Sequence, residues 1–187
     1  MRLGMVLFVT VCMVLFGVAA PSYAEMAPQK VVDYANAKLA GLGHITLLIE
    51  AVQAENAKGK TLEEIQALDE EWKAEKGVAE FMKPFMEGAC AESLQTITAA
   101  DEAIFEIFMM DNQGANVCQT DKTGDYWQGD EAKFKESFAD GKGMVFVDEV
   151  EYDDGLKANI CQVSVPVMDG GQAIGAMTIG VLVDKVK

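Results

Sequence analysis

The spacing of apolar residues divides the chain into a helical part followed by a part built of strands. Over residues 29–57 apolar side chains recur every three or four positions, which places them on one face of a helix. These side chains are Val32, Ala35, Leu39, Leu42, Ile45, Ile49 and Val52. Gly41 and Gly43 weaken the middle of this helix, so the sequence predicts a kink or a break there.

Two further helices are predicted before the strands begin. Thr61 and Glu64 have the spacing of a capping box, in which each side chain accepts a hydrogen bond from the other residue's backbone N–H. The helix that starts there continues to about residue 75. A third helical stretch covers residues 78–94, and Pro84 within it predicts a kink or a fresh start.

After residue 99 the apolar period changes from that of helices to that of strands. The runs predicted to be strands cover residues 103–110, 115–119, 144–150, 158–168 and 173–183. A short helix beginning at Asp130, with Phe134 and Phe138 on one face, separates the second strand from the third. The pattern predicts an α+β fold in which N-terminal helices pack on one face of a five-stranded antiparallel sheet.

The first 24 residues have the features of a secretory signal peptide. Arg2 supplies a positive start, residues 3–19 are apolar and uncharged, and residues 21–24 end in the small-x-small pattern of a cleavage site. Cleavage is expected after Ala24, which predicts a periplasmic protein without a membrane anchor. An uncleaved anchor is the alternative, although a span needs roughly 20 apolar residues. Residues 25–187 are predicted to form a single domain, with a helical part (28–98) and a sheet part (99–187).

Charge restricts the classes of partner. After removal of the leader, 14 lysines and no arginine stand against 30 acidic residues, a net charge of 14 − 30 = −16. Nucleic acids are bound mainly by lysine and arginine side chains that neutralise phosphates, so this balance excludes them as partners. Anionic membrane surfaces are repelled for the same reason.

Three cysteines follow the leader, which allows one disulfide and one free thiol in an oxidising compartment. Cys118 and Cys161 both lie in strand-like runs and could pair, whereas three buried thiols would fit the sequence equally well. The cysteines and the single histidine, His44, show no zinc-binding spacing. No cofactor is predicted.

Two segments carry a family resemblance. EIFMMDNQGANVCQTDKTGDYWQGDEAKF (106–134) and CQVSVPVMDGGQAIGAMTIGVLVD (161–184) resemble an extracytoplasmic sensor domain of the Cache/PDC type, which has a PAS-like fold. AVQAENAKGKTLEEIQALDEEW (51–72) is similar to stand-alone members of that family, which consist of a leader and one sensor domain. The resemblance implies a cavity between the sheet and the connection that crosses it, holding a small molecule.

The connection itself contains side chains suited to such a ligand. The predicted ligand-binding residues are Asp125, Tyr126, Trp127, Gln128, Asp130 and Lys133. The aromatic rings offer flat walls with polar tips, the carboxylates can pair with an amine, and the lysine can meet a carboxylate. The alternative roles are structural, for example a helix cap at Asp130 worth about 1 kcal/mol. Amino-acid-binding members of the family commonly use an arginine for the ligand carboxylate, and this chain has none after its leader.

The sequence therefore predicts an exported, non-catalytic sensor module that passes its ligand state to a partner protein. A homodimer through the N-terminal helix is in keeping with the resemblance. The first alternative is a sensor of divalent cations, since Glu149, Glu151, Asp153 and Asp154 form a dense acidic run. The second is a hydrolytic enzyme using Asp125 and Asp130 as an acid–base pair, although no nucleophile accompanies them.

Overall fold

The computed structural model describes residues 26–187. The predicted signal peptide and its cleavage site lie outside the described residues. Over the described part of the chain, no helix combines the length and the apolar composition that a membrane crossing requires.

Five α-helices and several short helical turns make up the helical structure. The α-helices are α1 (Gln29–Tyr34), α2 (Thr46–Asn56), α3 (Leu62–Ala74), α4 (Ala89–Ala100) and α5 (Ala132–Phe138). The helical turns are a π turn (Ala35–Leu39) and 3-10 turns at Ala40–His44, Glu80–Phe85, Ala139–Gly141 and Val183–Lys185.

The predicted break in the first helix is confirmed. Helix α1 passes into the π and 3-10 turns, and α2 begins only after His44. Gly43 is buried against the strand Ala158–Asp169, and a Cβ atom at this position would overlap the carbonyl oxygen of Pro166. The break therefore lets the backbone approach the sheet closely, while His44 itself is exposed.

Helix α3 begins with the predicted capping box. The Thr61 hydroxyl accepts from the Glu64 N–H at 3.2 Å, and the Glu64 carboxylate accepts from the Thr61 N–H at 2.8 Å. The third helical stretch differs from its prediction in where it ends. Pro84 lies in a 3-10 turn, and α4 starts afresh after Gly88 and continues past Leu94 to Ala100.

The sheet has the predicted five antiparallel strands. They are β1 (Ile104–Met110), β2 (Asn116–Gln119), β3 (Phe146–Asp153), β4 (Ala158–Asp169) and β5 (Gln172–Leu182), in the spatial order β2-β1-β5-β4-β3. Every neighbouring pair is antiparallel. The α+β fold class is confirmed.

The inner face of the sheet carries the main core. Alternate residues of β4 and β5, such as Val163, Val165 and Ile179, are fully buried beneath the helices. Leu39 and Val52, from the predicted apolar stripe, belong to the same cluster. The stripe thus packs on the sheet, so it does not supply the free helix face that would favour a homodimer.

The outer face is covered in part by α5. Phe134 and Phe138 stack at 5.2 Å between ring centroids, as their predicted common face requires, and pack on Phe108 and Met110 of β1. Beside α5, the first halves of β1 and β4 face the loop that connects β2 to α5.

The disulfide joins α4 to the edge strand β2, between Cys90 and Cys118. The suggested pairing of Cys118 with Cys161 is wrong. Strands β1 and β5 lie between β2 and β4, which places the two residues three strand spacings, about 14 Å, apart. A disulfide needs Cα atoms within about 7 Å. Cys161 stays a free thiol, and burial raises its pKa to about 11.

Candidate functional site

The connection from β2 to α5, residues 120–131, is called the crossover loop here. Hydrogen bonds from the Asn116 N–H to the Tyr126 carbonyl (3.0 Å) and from the Gln128 N–H to the Gly114 carbonyl (2.8 Å) fold it back beside the start of β2. Gly114 has φ +85°, and a Cβ there would overlap the Cα of Gly129. A side chain at Gly114 would therefore push the returning loop away from the strand.

Helix α3 holds the crossover loop from the other side. The Asp69 carboxylate accepts hydrogen bonds from the backbone N–H groups of Tyr126 (2.8 Å) and Trp127 (3.0 Å), and the Trp72 indole donates to the Thr123 carbonyl (2.8 Å). Asp69 and Trp72 are both buried. The loop is thus fixed at two points, which flank Asp125.

Tyr126 belongs to a second, smaller core between α3 and the loop. Its ring is fully buried and packs on Trp72 and Phe85, and its hydroxyl accepts a hydrogen bond from Lys60 at 2.9 Å. Burial comes first among the causes that raise the pKa of Tyr126, although the nearby Lys60 opposes it. The side chain is therefore occupied by packing.

A cavity of about 170 Å³, called the sheet cavity here, lies between the outer face of the sheet and the crossover loop. Its lining residues are Glu106, Phe108, Thr123, Gly124, Asp125, Gln128, Lys133 and Gln162. They come from β1, the loop, α5 and β4. This is the place that the resemblance implied for a ligand.

The floor of the sheet cavity is a row across three strands. Glu106 of β1 and Gln162 of β4 are both register partners of Gly180 in β5. Because Gly180 carries no side chain, the Gln162 amide reaches across it to donate to the Glu106 carboxylate at 3.4 Å. A Cβ on Gly180 would lie 2.6 Å from the Glu106 Cγ, so glycine keeps this floor open.

On the loop side, the cavity is lined by Gln128, whose side-chain amide is only partly hydrogen-bonded. Gln128 is 2% exposed, and its Nε2 donates to the Asp125 carbonyl at 2.8 Å. Its Oε1 is buried and has no hydrogen-bond partner in the structure. Leaving a buried polar atom unpaired costs about 1–3 kcal/mol, so this oxygen is a point where a ligand would gain binding energy.

Charges at the cavity are unevenly matched. Burial raises the pKa of Glu106, and the hydrogen bond from Gln162 and the charge of Lys133 only partly oppose that rise. The Lys133 side chain is 13% exposed, and its ammonium group is already paired with the Glu131 carboxylate at 2.8 Å and with the side-chain amide oxygen of Gln162 at 3.2 Å. It also lies 5.5 Å from the centre of the Phe108 ring. Lys133, the only cationic side chain that lines the cavity among residues 26–187, is therefore engaged.

Two further hollows adjoin the crossover loop. A concavity of about 430 Å³ between α3 and the loop, the α3 concavity, is lined by Gln66, Asp69, Glu70, Lys73, Asp125, Trp127, Asp130 and Glu131. A groove of about 310 Å³ along β3, the acidic groove, is lined by Glu131, Lys133, Asp148, Glu149, Glu151, Ile160 and Gln162. The acidic groove shares Lys133 and Gln162 with the sheet cavity.

The structure divides the predicted ligand-binding residues among these places. Asp125, Gln128 and Lys133 come together at the sheet cavity. Trp127 and Asp130 line the α3 concavity instead, and the Trp127 indole donates to the Gln113 carbonyl at 2.8 Å. Tyr126 lines neither hollow. Ligand contact by the six residues remains a prediction, now with a geometric basis for three of them.

Sequence reasoning missed the residues that the sheet contributes. Glu106, Phe108 and Gln162 lie within predicted strands and were not proposed for the site. One signal in the sequence could have indicated Glu106. It lies two positions before Phe108 in an otherwise apolar strand, so the two side chains project from the same face of the sheet.

The alternatives gain no support from the geometry. Among residues 26–187 no group of three or more histidine, cysteine or acidic side chains is arranged to hold a metal ion. Glu149 and Glu151 line the acidic groove, whereas Asp153 and Asp154 belong to the end of β3 and the turn after it. Asp125 and Asp130, the suggested acid–base pair, both border the α3 concavity, but its described lining includes no serine, threonine, cysteine or histidine to act as a nucleophile.

Comparison with solved structures finds sensor and ligand-binding domains. The V. cholerae histidine kinase DctB sensor domain matches with 10% identity and a TM-score of 0.46, covering 84% of this chain and 52% of that one. The ligand-binding domain of the Pseudomonas aeruginosa amino acid chemoreceptor PctC, in complex with GABA, matches with 17% identity and a TM-score of 0.40, covering 76% and 59%. That of the Campylobacter jejuni chemoreceptor Tlp3, in complex with 4-methylisoleucine, matches with 14% identity and a TM-score of 0.39, covering 80% and 62%.

These neighbours are sensor domains, the class that the resemblance in the sequence names. This chain spans between about half and three fifths of their length. No protein-family model and no curated protein matches the sequence. At identities below 25% and TM-scores below 0.5, no ligand and no residue role is carried over from these structures.

Proposed function

We propose that this chain is an exported periplasmic sensor module that binds a small molecule in the sheet cavity, without catalysis, and passes its ligand state to a partner protein. One observation carries the proposal: the buried Gln128 side chain lines the cavity, and its Oε1 has no hydrogen-bond partner among the described residues. Most buried polar atoms have a hydrogen-bond partner, so an unpaired acceptor on a side chain that lines a hollow supports a ligand there. A ligand that donates to this oxygen removes the cost of leaving it unpaired.

The loop geometry supports the transmission step. Thr123, Asp125 and Gln128 line the cavity, while Asp69 and Trp72 of α3 bond to the same loop. A ligand that shifts the loop between two positions must therefore also shift α3 or break these bonds. The outward side of α3 is exposed and acidic, with Glu63, Glu70 and Glu71 among its residues, so a partner that recognises it would carry basic groups.

The chemistry of the lining favours binding over catalysis. Among the described residues that line the sheet cavity there is no serine, cysteine or histidine. The Thr123 hydroxyl is engaged with the Asp125 carbonyl at 2.7 Å and is not held by a base. The residues present can position a ligand and neutralise its charge.

A thermal-shift screen tests the proposal. The chain is heated with separate sets of small amines, carboxylates, amino acids and divalent cations, and the screen is repeated with Gln128→Leu. Glu136→Gln serves as the control, because Glu136 is exposed on α5 outside the cavity. At least one organic class should raise the melting temperature of the natural chain and of the control, but not that of Gln128→Leu.

Two results would refute the proposal. If no organic compound stabilises the natural chain, the sheet cavity is not a ligand site. If calcium or another divalent cation alone stabilises it, the cation-sensing alternative replaces the proposal.

A further inference from the structure

We infer that the ligand of the sheet cavity is a compact organic ammonium compound that donates N–H hydrogen bonds and carries no carboxylate group. The inference rests on the proposed function and adds the chemical class of the ligand. It follows from the hydrogen-bonding capacity left open in the cavity and from the charges that surround it.

Each side-chain donor group that lines the cavity already has at least one acceptor. Gln162 donates to Glu106 and accepts from Lys133, so both ends of its amide are engaged. The Thr123 hydroxyl donates to the Asp125 carbonyl, and Gln128 donates to the same oxygen. Open capacity remains on acceptors, namely the Gln128 Oε1 and the carboxylate oxygens of Glu106 and Asp125. A ligand that fits them must supply donors.

The charged side chains around the cavity favour a positively charged ligand. Two carboxylates, Glu106 and Asp125, line the cavity with one ammonium group, Lys133, which is paired with Glu131 at 2.8 Å. Beyond Lys133 the acidic groove adds Asp148, Glu149 and Glu151. A carboxylate ligand would meet repulsion from these groups, and among the described lining residues no unpaired cation offsets it, whereas an ammonium group would be attracted.

The position of Glu106 strengthens this selection. The carboxylate is half-buried at the floor of the cavity and has lost part of its water, which is why its pKa is raised. An ammonium group at hydrogen-bonding distance replaces that lost solvation with a charge-assisted bond. Asp125 and the Gln128 oxygen lie on the loop side, so one ammonium group can be enclosed from the sheet and from the loop.

Volume limits the size of the ligand. At about 30 Å³ for each water-sized unit, a hollow of about 170 Å³ holds about six such units. A short alkylammonium ion fits, and a longer one would have to pass Lys133 into the acidic groove.

Calorimetric titration with four probes of similar size tests the inference. Propylammonium has the charge and the donors, tetramethylammonium has the charge alone, propionate has the opposite charge, and glycine has both charges. Propylammonium should bind with a dissociation constant between about 0.1 and 1 mM, near the limit for so small a ligand. The other three should bind at least about tenfold more weakly, because each lacks the donors or adds the wrong charge.

Three variants test where propylammonium binds and how the charges of the cavity affect its affinity. Glu106→Gln and Gln128→Leu should each weaken propylammonium about tenfold. Glu106→Gln removes the charge and one acceptor oxygen, and Gln128→Leu removes the acceptor oxygen together with the donor to the Asp125 carbonyl. Lys133→Met should tighten it about fourfold, the factor expected from removing one like charge about 5 Å away in water-like surroundings. Glu136→Gln, on the same helix as Lys133, should change the affinity by less than twofold. Circular dichroism confirms that each variant is folded before titration.

The outcomes separate this inference from the proposed function. Propionate or glycine binding that is lost in Gln128→Leu and Lys133→Met would overturn the ammonium assignment while leaving a ligand site in the sheet cavity. Equal binding of tetramethylammonium and propylammonium would overturn the role given to N–H donors. Absence of binding by all four probes, together with no stabilising compound in the thermal-shift screen, would overturn both.

Discussion

Replacing Asp69 with alanine is expected to lower the free energy of unfolding by about 3 kcal/mol. The carboxylate is 4% exposed and accepts from two backbone N–H groups of the crossover loop, at 2.8 and 3.0 Å. Each buried N–H left without a charged acceptor costs about 1–2 kcal/mol. The ion pair with Lys73, at 2.8 Å, adds little, because the lysine is 41% exposed.

Two matched variants isolate the effect of the backbone bonds. Asp69→Asn keeps an oxygen in place of the carboxylate and loses the charge, so its stability should lie between those of the natural chain and Asp69→Ala. Glu70→Ala removes the other carboxylate bound to Lys73, at 2.7 Å, but Glu70 is exposed and contacts no part of the loop backbone. Its cost should stay below about 0.5 kcal/mol.

Urea unfolding followed by tryptophan fluorescence measures these changes. The chain has two tryptophans, and both are close to the affected contacts: Trp72 bonds to the loop and Trp127 lies within it. A loss of about 3 kcal/mol corresponds to a fall in melting temperature of about 6–12 °C for a domain of this size. A surface ion pair contributes about 0.5 kcal/mol. If the free energies of unfolding of Asp69→Ala and Glu70→Ala differ by less than about that amount, Asp69 does not hold the loop.

Three more predictions concern other parts of the fold. Reducing the Cys90–Cys118 disulfide should lower the free energy of unfolding by about 3–4 kcal/mol, given its sequence separation of 28 residues, and urea unfolding with and without reductant measures this. Burial would raise the pKa of Glu55, but hydrogen bonds from two lysines outweigh it and hold the pKa below the ordinary value of 4.5. The ionised Glu55 carboxylate therefore stabilises the fold above pH 4.5, and this stabilisation is lost as the pH falls through the lowered pKa. Glu55→Gln should lower the free energy of unfolding by about 2 kcal/mol at pH 7 and by progressively less in acid. A loss that does not depend on pH would contradict this. Trp127→Phe should lower the free energy of unfolding by about 1 kcal/mol, because it removes the hydrogen bond to the Gln113 carbonyl. It should change the affinity for propylammonium by less than twofold. A tenfold loss of affinity would place the ligand in the α3 concavity instead.

The strands could be predicted because burial on the sheet follows a local pattern. The strand predicted at residues 103–110 begins one residue before β1, and the turns between β3, β4 and β5 carry their own glycine signals. Gly43 shows the same point for the helices. The sequence indicated a break there, but the reason, the close approach to Pro166, depends on a residue more than a hundred positions away.

Only the site residues in and directly after the crossover loop could be predicted from the sequence. Asp125, Gln128 and Lys133 lie at the sheet cavity, as expected from a polar and aromatic connection. Tyr126 does not, because its backbone N–H bonds to Asp69 and its carbonyl accepts from Asn116, and these bonds direct the ring towards α3. No pattern within the loop specifies that direction.

The sheet residues of the site could not be found from local patterns. Glu106 and Gln162 meet because both are paired with Gly180, and that register is set by the whole sheet. The same limit applied to the disulfide. Cys118 and Cys161 both lie in strands, but strand order alone decides which cysteines are neighbours, and it places α4 rather than β4 beside β2.

The crossover loop links ligand binding to α3 through a thermodynamic cycle. Asp125 lies between the two points at which α3 holds the loop, and it lines the sheet cavity as well. If α3 holds the loop in the form that binds the ligand, then releasing it in Asp69→Ala must weaken propylammonium binding, although Asp69 does not line the sheet cavity. By reciprocity the ligand must strengthen the hold of α3 on the loop by the same factor. Slower hydrogen exchange of the Tyr126 and Trp127 amides when ligand is bound would show that coupling directly, whereas unchanged exchange with tight binding would mean that the ligand state does not reach α3 through these bonds.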